Sequence, residues 1–232
     1  MNVPDAQILD EKSKWSWNES YRVTRNEVLW SEEAVPFVST AVEIFLADSA
    51  QVVLDLPCGD GRNTVPLVQH LPFVLGGDSS VNALALAAKR LANCRPSHYF
   101  LMEMDLFRTH ILDEQVNGVF CWDVLGHLRR PLEAITELLR ICAPGGCLVG
   151  SLFSLGDSTR AGDMRQIGQE EYLYAGQFFY KFYGRTEVEE LLTKSGARLE
   201  HLELSTWREP PHEGFREYWH EHQSWGFALR KI

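Results

Sequence analysis

The stretch Val52–Thr64, VVLDLPCGDGRNT, decides the fold. It opens on Val52, Val53 and Leu54, an unbroken aliphatic run. Such a run reads as a strand covered on both faces, the kind found at the centre of a parallel sheet. Cys58-Gly59-Asp60-Gly61 follows as a turn of small residues. Gly59 and Gly61 lack a Cβ, so the chain can turn sharply there and a ligand can lie against the backbone. Arg62, Asn63 and Thr64 then open a helix whose free N–H groups form an electropositive mouth. Asp55, at the strand's end, sets a carboxylate beside that mouth. Backbone donors on one side and a carboxylate on the other suit a ligand with acceptor and cationic groups, such as an amino-acid moiety.

Working outward, strands and helices alternate. Apolar residues at Val35, Val38, Val42, Phe45 and Leu46 predict a helix over Glu33–Ala47. Downstream, a helix runs to about His70, and Leu71–Leu75 forms a second strand ending in Gly76-Gly77-Asp78. Ser80 caps the next helix. Tyr99–Met102 and Val116–Trp122 read as strands three and four. Pro131 starts a helix that Ala143-Pro144-Gly145-Gly146 stops, and Cys147–Phe153 is strand five. This alternation predicts a doubly wound α/β sheet. Residues 155–185, rich in Gly, Asp, Arg and aromatics, interrupt it and predict a lid or substrate wall over the crevice. Thr186-Glu-Val-Glu189 is a capping box for a further helix. Arg198–Trp207 and Glu217–Arg230 follow without a helix between them, which predicts an antiparallel pair. Residues 1–48 are expected to form an N-terminal helical flap, and 1–232 a single domain.

Bulk properties narrow the function. The formal net charge of −10 argues against nucleic acid as a partner. No run approaches a membrane span, and MNVPDAQILDEK lacks a basic region followed by an apolar one, so a cytoplasmic protein is expected. Five cysteines with no CxxC spacing read as reduced, mostly buried thiols. His220-Glu221-His222 has the spacing of a metal pair, but no third ligand is evident, so no metal is expected.

The turn and Asp78 downstream form a dinucleoside-binding geometry, with Asp78 accepting ribose hydroxyls. A nicotinamide or flavin dinucleotide needs G-x-G-x-x-G, and Thr64 stands where the third glycine would be. S-adenosylmethionine carries no phosphate, and its ammonium suits Asp55. The chain resembles the class I S-adenosylmethionine-dependent methyltransferases. Leu54–Gly61, Gly76–Ser80, Met104-Asp105-Leu106, Val119–Leu128 and Pro144-Gly-Gly146 look like successive landmarks of that family. The resemblance implies a Rossmann-like, seven-stranded, mostly parallel sheet with an antiparallel C-terminal pair. It implies a cofactor site made by Tyr21, Arg25, Asp55, Pro57, Cys58, Gly59, Gly61, Asn63, Asp78, Ser79, Asp105, Leu106, Cys121, Trp122 and Asp123. Asp105 would meet the adenine amino group, and Cys121–Asp123 would floor the site.

The product would be S-adenosylhomocysteine. The acceptor would be a small molecule, either a soft nucleophile, an amine or an oxyanion, and the chain a monomer or homodimer. Arg22–Arg25, Gly61–Asn63 and Trp225–Lys231 are similar to tellurite-resistance-type methyltransferases, which act on such acceptors. His127 is the candidate catalytic group, and Trp207, Arg208 and His212 are candidates to face the acceptor. Pro57 stands where the family usually has glycine, and it motivates the alternative of a non-catalytic S-adenosylmethionine-binding or regulatory protein.

Overall fold

The computed structural model describes residues 14–22, 30–212 and 215–232. Residues 14–22 are helical (α1). The central sheet runs β3-β2-β1-β4-β5-β10-β9. Its strands are β1 Val53–Asp55, β2 Val74–Asp78, β3 Tyr99–Glu103, β4 Val116–Cys121, β5 Cys142–Phe153, β9 Arg198–Glu209 and β10 His220–Arg230. The first five are parallel, and β10 lies antiparallel to both β5 and β9. The doubly wound sheet and its antiparallel C-terminal strands are therefore as the sequence implied.

Strand alternation splits the core into two faces. Leu54, Val119, Leu148, Leu152 and Phe227 bury one face under α5 (Pro131–Ile141) and α6 (Arg185–Thr193). Val53, Phe120, Val149 and Ala228 bury the other under α2 (Phe37–Ala47) and α3 (Thr64–His70). Each large side chain so buried contributes about 1.5–3 kcal/mol. Helix α4 (Val81–Arg90) follows β2, and the Ser80 hydroxyl accepts from the Ala83 N–H as its cap.

Several boundaries differ from the sequence expectation for local reasons. Helix α2 starts at Phe37 rather than Glu33 because Pro36 holds the preceding residue out of the helical region. Strand β2 sits three residues later than expected, since Leu71 still donates to Leu67 and closes α3, while the glycines pair with Leu101 and Met102. The capping box does not form. Helix α6 begins at Arg185 behind Gly184, and Glu189 pairs with Arg185 at 2.8 Å.

Residues 155–185 hold secondary structure that composition did not reveal. A 3-10 turn at Ser158–Ala161 leads into an antiparallel sheet of β6 Arg165–Gly168, β7 Glu171–Tyr174 and β8 Phe178–Lys181. Its aromatic face packs Tyr174, Phe178, Tyr180 and Phe182 against Phe153 at the end of β5.

Candidate cofactor and acceptor site

The glycine turn is fixed from both sides. Cys58 N–H donates to the Gly77 carbonyl at 2.7 Å, and Gly59 N–H donates to Asp78 Oδ2 at 2.9 Å. The other Asp78 oxygen accepts Ser80 N–H at 2.8 Å. Gly59 (φ 55°) and Gly61 (φ 86°) lie in the left-handed region, where a side chain is strained. A Cβ on Gly61 would also stand 3.1 Å from the Ala87 backbone, so the turn can approach α4 this closely only without one. The turn closes with Pro57 in it; the Leu56–Pro57 bond is cis.

A cavity opens at the carboxyl ends of the parallel strands. On one side it is lined by Pro57, Cys58, Gly59 and Asn63 of the turn, by Asp78 and Ser79, and by Met104, Leu106 and Phe107 beyond β3. On the other side stand Trp122, Asp123, His127, Phe153, Tyr180, Glu209, Phe215, Arg216 and His222. Helix α1 lies across both. Asn18 accepts from the Ser80 hydroxyl and from Asn82, and Lys14 pairs with Asp105. Toward the acceptor side Ser16 donates to Gln177, and Trp17 packs 4.5 Å from Phe178 and 5.1 Å from His127. Tyr21 reaches the turn, and its hydroxyl accepts from Trp30 Nε1 at 3.1 Å.

Four expected cofactor residues do not line this cavity. Asp55 lies beneath the turn, where its carboxylate accepts the Thr64 hydroxyl at 2.6 Å, and burial lifts its pKa to about 7. It joins the end of β1 to the start of α3 rather than facing a ligand. Asp105 is turned toward Lys14 and its own loop, accepting Phe107 N–H at 2.7 Å. Gly61 faces α4, and Cys121 is fully buried within β4, its thiol pushed up by desolvation. Arg25 lies outside the described residues. Tyr21, Pro57, Cys58, Gly59, Asn63, Asp78, Ser79, Leu106, Trp122 and Asp123 do come together around the cavity.

Of His127, Trp207, Arg208 and His212, His127 lines the cavity, as do Tyr21 and, from the 155–185 aromatics, Tyr180. His127 Nδ1 lies 2.8 Å from the Phe179 carbonyl, which can only accept, so Nδ1 carries the proton and Nε2 keeps a lone pair. Burial depresses its pKa to about 4, so the ring is neutral at physiological pH. Trp207 instead donates to Glu209 at 2.9 Å, Arg208 lies over Trp219, and His212 is buried beside Glu209. Their strand neighbours carry the site. Glu209 receives the Arg62 guanidinium at 2.5 Å, and Arg62 also reaches Asp123 at 3.4 Å. Burial raises Glu209, but the Arg62 charge and hydrogen bond together with His222 and His212 outweigh it and hold the carboxyl below its ordinary value. Asp123 sits at φ 54°; its Oδ1 is buried without a partner, and its pKa is raised to about 6, chiefly by desolvation. Among the described residues no group of three His, Cys, Asp or Glu side chains could hold a metal ion.

Residues 53–146 match a family model described as a methyltransferase domain. That match runs along the parallel part of the sheet, from β1 into β5. Its similarity to a curated malonyl-[acyl-carrier protein] O-methyltransferase of Marinomonas sp. (strain MWYL1) is 31% identity over 111 residues. That match covers 47% of this chain and only 40% of the relative's length. Among solved methyltransferases, the 1,6-didemethyltoxoflavin-N1-methyltransferase of Burkholderia thailandensis, with bound 1,6-didemethyltoxoflavin and S-adenosylhomocysteine, superposes with a TM-score of 0.71. It is 18% identical, with 98% of this chain and 90% of that one covered. The magnesium protoporphyrin IX methyltransferase of Synechocystis PCC 6803, with bound S-adenosylhomocysteine, has a TM-score of 0.57 at 19% identity, covering 84% of this chain and 82% of that one. At such identities these two structures establish the methyltransferase fold.

Proposed function

We propose that this chain is a cytoplasmic enzyme that transfers a methyl group from S-adenosylmethionine to a small acceptor, a soft nucleophile, an amine or an oxyanion. The observation that carries this is Asp78. Its carboxylate fixes the glycine turn and the start of α4 while still facing the cavity. The carboxylate meets backbone donors of Gly59, Ser79 and Ser80, and its remaining acceptor capacity is available to a ribose hydroxyl. Met104, Leu106 and Phe107 offer an apolar slot beside it for a purine. The solved relatives holding S-adenosylhomocysteine, the demethylated product, support the same ligand pair here.

S-adenosylmethionine supplies a methyl already activated on a sulfonium. The residues therefore have to align an acceptor and exclude water. Of the expected 1–48 flap, helix α1 acts as the cover while α2 instead packs beneath the sheet, and 155–185 act as the acceptor wall of one domain, 1–232. Trp17, Phe153, Tyr180 and Phe215 provide the dry surface. His127 offers an unprotonated Nε2 as hydrogen-bond acceptor for a nucleophile's proton; thiolates and neutral amines need none. The net charge of −10 favours a small molecule over nucleic acid, and among the described residues no helix is long and apolar enough to cross a membrane. The chain works as a monomer or homodimer.

Calorimetry with S-adenosylhomocysteine tests the cofactor. Wild type binds and Asp78→Ala does not; an unchanged affinity in the variant refutes the site. Turnover against thiols, amines, phenols and oxyanions then tests the chemistry. Binding without methylation of any of them would favour the purely regulatory alternative.

A further inference from the structure

Several arginines among the described residues pair with carboxylates. Arg62, Arg90, Arg140, Arg160 and Arg230 each face a carboxylate. Arg216 is 2% exposed and lines the acceptor side of the cavity. Its Nε and Nη2 have no hydrogen-bond partner. The carboxylate whose charge reaches it, Asp157, has both oxygens engaged. Oδ1 accepts the Thr159 N–H and hydroxyl, and Oδ2 takes the Gln223 N–H and His222 Nδ1. The Tyr180 and Tyr218 hydroxyls meet the guanidinium, and otherwise it faces the rings of Tyr174, Tyr180 and Phe215 at 4.8, 5.5 and 5.7 Å.

A guanidinium removed from water without a carboxylate partner is expensive, and neutral hydroxyls and ring faces recover only part of the cost. A charge held that way, at the wall of a cavity, is complementary to something that enters the cavity. Resting on the methyltransferase function proposed above, we propose that Arg216 anchors a carboxylate carried by the methyl acceptor, and that the acceptor is a small planar monocarboxylic acid. The planar fork of unpaired N–H groups matches a carboxylate. A single negative charge fits best, because Asp123, Glu209 and Asp157 stand nearby and would repel a dianion such as a phosphate monoester. A planar, aromatic body suits the rings of Trp17, Phe153, Tyr180 and Phe215 that line the same cavity.

The test uses the full chain and paired probes: benzoate, 4-hydroxybenzoate, anthranilate and nicotinate, each beside its primary amide, titrated calorimetrically with saturating S-adenosylhomocysteine. At least one acid is expected to bind tenfold or more tightly than its amide, and Arg216→Met and Arg216→Gln to reduce that preference to within twofold. Both variants should melt at or above the wild-type temperature, since they remove an uncompensated buried charge. No preference for any acid in the wild type overturns the proposal. So does a preference that survives in both variants, or a marked fall in melting temperature in both, which would make Arg216 a structural residue. S-adenosylhomocysteine binding is measured first; its failure refutes the methyltransferase reading, and the acid–amide comparison is then read on the free chain.

Discussion

The two sides of the cavity are built by different means. The nucleoside side comes from one compact piece of chain, the turn after β1 and the end of β2, and its polar contacts run between backbone N–H groups and a single carboxylate. The acceptor side gathers α1, the ends of β5, β8 and β9, and the bend before β10. Its polar contacts join side chain to side chain, and it keeps the orphans: Asp123 Oδ1, Trp122 Nε1 and the Arg216 nitrogens. A half made from backbone geometry is complete before any ligand arrives. A half made from converging side chains holds unmet donors and acceptors until something meets them.

Removing Asp78 should break the nucleoside half most severely. Asp78→Ala deletes two charge-assisted contacts to backbone N–H groups at once, each worth roughly 1.5–3 kcal/mol. Calorimetry should show S-adenosylhomocysteine affinity falling by about 100-fold or more.

The next effect belongs to the acceptor half and depends on pH. Burial raises Asp123 in the folded protein to about 6, above an unfolded value near 3.9. Its contribution is therefore present below pH ~4 and lost as pH rises through 6. Asp123→Asn should match the wild type at pH ~4 and exceed it by about 2 kcal/mol at pH ~8 in urea unfolding, allowing for the partly solvated carboxylate. Equal pH profiles would show that burial does not raise Asp123 in the folded protein.

Trp17→Ala tests whether the halves separate. It should raise the acceptor KM about tenfold, as expected for loss of a buried aromatic surface, and leave S-adenosylhomocysteine affinity within about threefold. The smallest effect is expected at Asp55. Asp55→Asn retains an acceptor for the Thr64 hydroxyl and changes nothing on the cavity wall, so cofactor affinity should stay within about threefold. A large loss would return Asp55 to the site.

The same division explains what the sequence revealed. Gly59, Gly61 and Asp78 were legible because a strand, a turn and the next strand's end lie close in the chain and leave the backbone few choices. Asp55 and Asp105 were assigned from position alone, yet whether a side chain points into a crevice or under a turn depends on φ and ψ at a strand's end. Trp207, Arg208 and His212 were placed in the right bend but not at the cavity wall. Strand alternation puts Arg208 over Trp219, while Trp207 supports Glu209. Arg216 carries no local signal at all. Its meaning comes from β7, β8 and Asp157, which only the fold brings beside it.

Helix α1 grips Ser80, Asn82 and Asp105 through Lys14 and Asn18, and Gln177 and Phe178 through Ser16 and Trp17 between them. A single rigid element thus bolts both compartments. Displacing it to let one molecule through also loosens the seat of the other, so traffic through the two compartments is kinetically linked. In steady state this predicts a compulsory sequence of entry and departure, with helix detachment, rather than bond-making, setting the pace of turnover.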